Sequence, residues 1–195
     1  MEQIDLESVL QPGQEYILDY AQKFGKDIRA VKHDVATNTC FEKAELLGWN
    51  PGRVVKSVFL WGREGKFYGF VSPEQGPPCK PLRFDNPTIK YIFSEWPKKK
   101  RKTMMNLKNS ISPISMEKGT CTPFVPDYFF SGDGFTGSLE KIYLRDYPKI
   151  NKEIVDISIG GYGKDFHKIS LHLPYEDIFG ILNYYFKDKV EKVRF

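Results

Sequence analysis

The chain has 195 residues, and 29 Lys and Arg stand against 25 Asp and Glu, for a net charge of +4. That length supports one ordinary domain with a real core and is too short for two large ones. With 41% hydrophobic and 15% aromatic residues the chain is no disordered tail, and its apolar runs are too short to span a membrane: Lys56 interrupts Val54-Val55, and Arg63 closes Val58-Phe59-Leu60-Trp61.

The opening residues Met1-Glu2-Gln3-Ile4-Asp5 are acidic and carry no apolar stretch, so no signal peptide is expected. Cys40, Cys79 and Cys121 are an odd number at wide spacing, which argues against a disulfide framework and for a reducing cytoplasm. The small positive surplus hints at an anionic partner.

In chain order, Gln14 to Phe24 places apolar residues at helical spacing and stops at Gly25. Ile28 to His33 reads as a short strand. Thr37, Asn38 and Thr39 offer N-caps for a helix through Phe41, Ala44 and Leu47 that Gly48 ends. Pro51-Gly52 is a turn. Arg53 to Trp61 and Lys66 to Ser72 read as two strands linked tightly by Gly62 to Gly65. Pro73, Pro77, Pro78 and Pro81 exclude regular structure. A short helix is expected around Ile89 to Trp96, then a charge run, then a loop from Ser110 to Pro126 and a glycine turn at Gly132 to Gly137. Strands are expected at Leu139 to Leu144, Ile154 to Ile159 and Lys168 to Leu173, and Pro174 opens a closing helix with Ile178, Ile181, Leu182, Tyr185 and Phe186 on its apolar face. Helices and strands mix without strict βαβ alternation, so the expected class is α+β in one domain over residues 1–195.

No CxxC, HxxxH or HExxH spacing occurs, so the sequence displays no zinc motif. His167 and His172 flank an expected strand and read as surface or edge residues. Cys40 sits where a helix begins, a place that can lower a thiol pKa, and equally reads as a packing residue. Cys121 lies in Gly119-Thr120-Cys121-Thr122-Pro123-Phe124, a loop able to aim backbone N–H groups at an oxyanion, although such a loop is most often a simple turn. Gly132-Asp133-Gly134-Phe135-Thr136-Gly137 matches G-x-G-x-x-G but leads into a strand-like segment, which removes the phosphate-loop context. Gly160-Gly161-Tyr162-Gly163 is a tight turn or ligand-facing backbone. Lys98-Lys99-Lys100-Arg101-Lys102 could neutralise nucleic-acid phosphates, could act in nuclear import, or could simply be a solvated surface. Lys56 shares a face with Val54, Val58 and Leu60, where a lysine costs free energy unless it is paired or lines a cleft.

Three segments together, His33-Asp34, Thr39 to Gly48 and Arg53 to Leu60, resemble the opening of the YbaK/ProX family, the aminoacyl-tRNA deacylases related to the editing domain of bacterial prolyl-tRNA synthetases. The strand Lys66 to Ser72, the loop Gly119 to Phe124 with its G-x-x-x-P pattern, and the tail from Ile154 through Gly160-Gly161 and Leu171 resemble later parts of that family. The resemblance spans residues 27–186. It departs in an atypical insert at 77–113, in Val125 after the proline–aromatic pair, and in a longer loop from Pro126 to Gly137.

The resemblance implies a mixed, barrel-like β-sheet with flanking helices, and a cleft for the 3′ end of aminoacyl-tRNA. It implies hydrolysis of a mischarged ester (a small amino acid such as Cys, Ala or Pro) without metal, cofactor or covalent intermediate. Lys56 and Gly119 would be the catalytic pair, Lys56 on the substrate phosphate and Gly119 holding ester and water through its backbone. His33, Cys40, Thr120, Cys121, Pro123, Phe124, Gly160 and Gly161 would line the substrate site, and Lys98, Lys99, Lys100, Arg101 and Lys102 would contact tRNA backbone. An aminoacyl-tRNA synthetase is a further candidate partner; no membrane or DNA is expected. An activated ester needs mainly positioning and backbone dipoles, so the missing Ser/His/Asp motif is no objection. The alternative is a non-catalytic module that docks on tRNA or a synthetase; a Cys40- or Cys121-dependent thiol hydrolase ranks last.

If the basic run contacts phosphate, neutralising three charges within Lys98–Lys102 will flatten the salt dependence of tRNA binding, each lost contact lowering the log–log slope by roughly 0.7–0.9. An unchanged slope, measured by binding titrations across salt, assigns the run to solvated surface.

Overall fold

The structure is a computed structural model that describes residues 1–37, 39–61, 65–73, 102–103, 121–125, 129, 137–161 and 165–194. Its three helices among these residues are α1 (Tyr16–Phe24), α2 (Cys40–Leu47) and α3 (Tyr175–Phe186). The strands are β1 (Glu2–Ile4), β2 (Arg29–Lys32), β3 (Val54–Trp61), β4 (Lys66–Pro73), β5 (Lys102–Thr103), β6 (Ser138–Arg145), β7 (Ile154–Ser158), β8 (Ile169–Pro174) and β9 (Val190–Val193). The short helix expected at 89–96, the insert at 77–113 apart from β5, and the glycine turn at 132–136 lie outside the described residues. No helix among the described residues is long and apolar enough to cross a membrane.

Local chemistry sets the helix ends. The α1 chain leaves its helix through Gly25 at φ 60°. At α2, Thr39 Oγ1 accepts the Glu42 N–H at 3.1 Å, and Gly48 at φ 64° turns the exit so that Trp49 N–H reaches the Ala44 carbonyl at 2.9 Å. Pro174 stands just before α3, where its missing N–H leaves no helical bond unmade.

One mixed sheet joins the strands in the order β1-β2-β8-β7-β3-β4-β6-β9, with β5 beside β3. The β3/β7, β4/β6 and β6/β9 pairs are parallel; β1/β2, β2/β8, β7/β8, β3/β4 and β3/β5 are antiparallel. The α+β class with a mixed sheet and flanking helices is therefore the one observed. β1 and β9 were not expected, and Lys102, read as part of a charge run, has its backbone in β5 opposite Trp61.

Strand alternation divides the sheet into two faces. Val55, Phe59, Phe67, Val71, Val155, Ile157, Leu171 and Leu173 point into one core with Ile17 of α1 and Ile178, Ile181 and Leu182 of α3. The opposite face carries Val54, Lys56 and Val58, and α2 packs on it against β3. Where α1 meets α3, Gly180 makes room for Tyr20, whose hydroxyl donates to Asp177 at 3.4 Å while Lys26 pairs with the same carboxylate at 2.8 Å.

A Cβ at position 180 would stand 2.0 Å from the Tyr20 hydroxyl. Gly180→Ala should therefore destabilise by about 1–3 kcal/mol, although alanine is the better helix former by about 1 kcal/mol. Thermal or denaturant unfolding reads this, and Tyr20→Phe in the same chain should recover part of the loss.

Candidate functional site

β3 is bonded to β7 through Val54 and Val55 and to β5 through Leu60 and Trp61. Between these contacts its second edge, Lys56 to Phe59, carries no described strand. Cys121 meets that edge at Phe59 through a backbone hydrogen bond, close enough to feel the Lys56 charge. Lys56 is half-buried between Val54 and Val58, which are both buried, and stands opposite buried Ser72. Burial pushes the Cys121 thiol up to about 12, against the opposing pulls of the Phe59 backbone bond and the Lys56 ammonium. At neutral pH this thiol keeps its proton.

The segment after Cys121 is packed throughout: Thr122, Phe124 and Val125 have no exposed surface, and Thr122 Oγ1 accepts the Phe124 N–H at 3.2 Å. Gln14, just before α1, fixes its position. The Gln14 amide donates to the Phe124 carbonyl at 2.7 Å and to the Ile159 carbonyl at 2.8 Å, while its oxygen accepts the Gln11 N–H at 2.8 Å. The loop that ends in Phe124 is thereby tied to the turn after β7. In that turn Gly160 has φ 86° and Gly161 φ 131°, and a Cβ at 161 would stand 2.2 Å from the Phe166 ring. Gly161 is thus required both by conformation and by contact. Gly160 N–H reaches Ser158 Oγ at 3.3 Å.

Beside Lys56 on the same face lies a buried polar cluster. Asp156 pairs with Val54 across β7/β3 and with His172 across β7/β8. Ser170 donates its hydroxyl hydrogen to Asp156 Oδ2, and His33 Nε2 stands 2.7 Å from Ser170 Oγ and 3.4 Å from Asp156 Oδ2. His172 Nε2 is 3.1 Å from the same carboxylate oxygen. Because the carboxylate only accepts and Ser170 has spent its hydrogen, both imidazoles carry a proton on Nε2. His33 (1% exposed), Ser170 (1%), Asp156 (3%), His172 (7%) and Lys43 of α2 (8%) are all removed from water. Burial drives the Asp156 carboxyl upward, but bonds from His172 and His33, the Lys43 charge and the Ser170 bond outweigh it and hold the pKa far below the usual carboxylate range. Burial lowers Lys43 against the nearby Asp156 and Cys40. The Trp49 ring rests 4.9 Å from the His172 ring, and the Arg53 guanidinium lies 3.9 Å over Trp49.

The structure thus places Cys121 within reach of the Lys56 charge, and through Gln14 it ties Phe124, beside Pro123, to Ile159, which precedes Gly160 and Gly161. His33 and Cys40 sit toward α2 with the polar cluster. Gly119, Thr120, Lys98, Lys99, Lys100 and Arg101 lie outside the described residues, and Lys102 contributes backbone to β5. His172, expected at the surface or a strand edge, is buried because the indole of Trp49 and the cluster close over it. Gln14, Lys43, Asp156 and Ser170 were not singled out from the sequence.

No protein-family model matches the chain, and no curated protein sequence matches it. Solved structures do share its fold. One is a hypothetical protein at TM-score 0.55 and 17% identity, over 91% of this chain and 97% of that one. A second, described as a candidate trans-editing enzyme for prolyl-tRNA synthetase, has TM-score 0.55 and 16% identity over 95% and 97% of the two chains. A third, from work that grafted linear epitopes onto scaffold proteins by computational design, has TM-score 0.53 and 15% identity over 95% and 97%. At these identities the likeness is one of fold.

Buried Cys121 and half-exposed Cys40 should differ sharply toward alkylation. A rise from 9.0 to about 12 lowers the Cys121 thiolate fraction at pH 8 by roughly 1,000-fold. Iodoacetamide followed by peptide mass spectrometry should label Cys40 long before Cys121 in the folded chain. Equal labelling would show a reactive Cys121 thiolate.

Proposed function

We propose that the chain hydrolyses the ester of mischarged aminoacyl-tRNA, acting in trans on a small amino acid. The observation that carries this reading is the half-buried Lys56 ammonium beside a fully packed loop, Cys121 to Val125, that Gln14 ties to the Gly160-Gly161 turn. The fold shared with a candidate trans-editing enzyme supports it.

In this reading Lys56 binds a phosphate of the tRNA 3′ end, a contact that a compact ammonium makes as a point charge. At Gly160 the turn offers the terminal nucleoside backbone without a side chain, while Gly161 is packed against the Phe166 ring. The protonated Cys121 thiol shapes the pocket and does not attack. Water, held against the ester by loop backbone, is the nucleophile, and Gly119 is the residue proposed to hold it. The resulting carboxylate and the tRNA hydroxyl leave without a covalent enzyme intermediate.

The purified chain should deacylate at least one member of a panel of mischarged tRNAs. Lys56→Ala should fold like wild type and lose about 10- to 150-fold in kcat/KM, the worth of one charge-assisted contact. Lys56→Arg should recover only part, because its planar fork does not replace an ammonium. Cys121→Ser should keep substantial turnover. Wild-type rates in Lys56→Ala would remove Lys56 from the site, and binding without turnover on every tRNA would make the chain a docking module.

A further inference from the structure

The buried cluster under α2 takes no part in the chemistry proposed above, and a hydrogen-bonded role alone leaves its composition unexplained. Two imidazoles, a hydroxyl and an ammonium converge on one carboxylate, all of them buried, where each such group is costly. We propose that His33, Asp156 and His172 form a binding site for a divalent first-row transition ion of the zinc type.

The geometry is close to that of a three-ligand site. Asp156 Oδ2 lies 3.4 Å from His33 Nε2 and 3.1 Å from His172 Nε2, and the three ligand atoms all fall within 4.8 Å of one another. Two ligands on a tetrahedral ion with bonds of about 2.0–2.1 Å stand about 3.3 Å apart. Both carboxylate–imidazole spacings already meet that value, so only the two imidazoles need to draw together. Two imidazoles and one carboxylate suit zinc, cobalt or iron(II), and are too nitrogen-rich for calcium or magnesium. Three protein ligands is also the number that leaves a coordination position for another ligand.

Backbone hydrogen bonds hold all three ligand-bearing positions. Asp156 and His172 face each other on the paired strands β7 and β8, and His33 extends β2 on the other side of β8, its N–H bonded to the Lys168 carbonyl at 2.7 Å. Ser170 orients the carboxylate from outside the ligand set, as metal-site carboxylates require. On binding, each imidazole moves its Nε2 proton to Nδ1 and offers the freed lone pair, and Ser170 keeps its bond to Asp156, so no further reactant is needed. Lys43 now supplies positive charge to Asp156 from α2; a bound cation would take over that role, so Lys43 opposes metal binding.

The test uses the full chain, stripped with EDTA and titrated with Zn²⁺ alone or Co²⁺ alone by calorimetry and visible absorption. One equivalent should bind, with a higher Tm and the ligand-field bands of four- or five-coordinate Co²⁺. His33→Ala and His172→Ala should weaken binding by more than about 100-fold and Ser170→Ala by about 10- to 100-fold. His167→Ala should leave it unchanged, and Lys43→Met should tighten it. His172→Phe keeps a ring against Trp49 and removes only the donors, so it tests the ligand if the alanine variant does not fold. Absence of stoichiometric uptake by folded wild type, or uptake that survives in folded His172→Phe, would overturn the site. Metal uptake is read without tRNA, so its failure and that of the deacylase reading are separate results.

Discussion

The loop that runs from Cys121 and the turn after β7 are held together by one buried amide. Gln14 has no exposed surface, and its carboxamide uses both donor hydrogens and its acceptor within hydrogen-bonding distance. The carbonyls it satisfies, those of Phe124 and Ile159, belong to segments 110 and 145 residues away along the chain. Neither carbonyl sits in a described ladder, so each would be a buried acceptor without a donor if Gln14 were absent, at a cost of about 1–3 kcal/mol apiece. The amide thus sets the spacing between the loop that reaches Lys56 and the glycine turn. A side chain at the foot of α1 fixes how two distant segments of the chain sit against each other.

The two faces of the sheet solve different problems. Beneath α1 and α3 the side chains are mostly aliphatic and aromatic, and burial is their main support, with Gln14 and the Tyr20–Asp177–Lys26 contacts at the margin. Beneath α2 the same strands present Asp156, Ser170 and His172, and a network holds them instead. Tolerance should differ accordingly. An apolar face accepts swaps that conserve volume, whereas a network in which one carboxylate oxygen serves three partners loses three contacts at once when that oxygen is removed.

Much of this architecture was legible in the sequence. Gly25 and Gly48 stop their helices because their left-handed φ values suit glycine, and the apolar strands β3, β4, β7 and β8 fall where alternation placed them. β1 and β9 were not legible: Glu2-Gln3-Ile4 and Val190-Glu191-Lys192-Val193 carry too few apolar residues to show a period, and only pairing with β2 and β6 makes them strands. The polar cluster left a trace in the sequence at three of its positions. A charged residue on an apolar strand is what singled out Lys56, and the same criterion applies to Asp156 within Ile154-Val155-Asp156-Ile157 and to Ser170 and His172 within Ile169-Ser170-Leu171-His172-Leu173. No spacing motif could have joined 33, 156 and 172, because sheet order, not sequence distance, makes them neighbours. Gln14 carried no signal at all.

That sheet order also governs when the molecule can become whole. β2 and β3 are consecutive in the chain, yet β8 and β7 stand between them in the sheet. As the ribosome delivers the chain, β1–β2 and β3–β4 emerge as two ribbons, and among the described residues the ladders that join them form only when residues 154–174 appear. Until then each ribbon exposes a bare strand edge able to pair with another chain. Contacts this distant in sequence also close slowly. The carboxylate of Asp156 and the clamp on Ile159 arrive with the strands that zip the ribbons together, so the polar cluster and the covering of those strand edges are completed by the same late step.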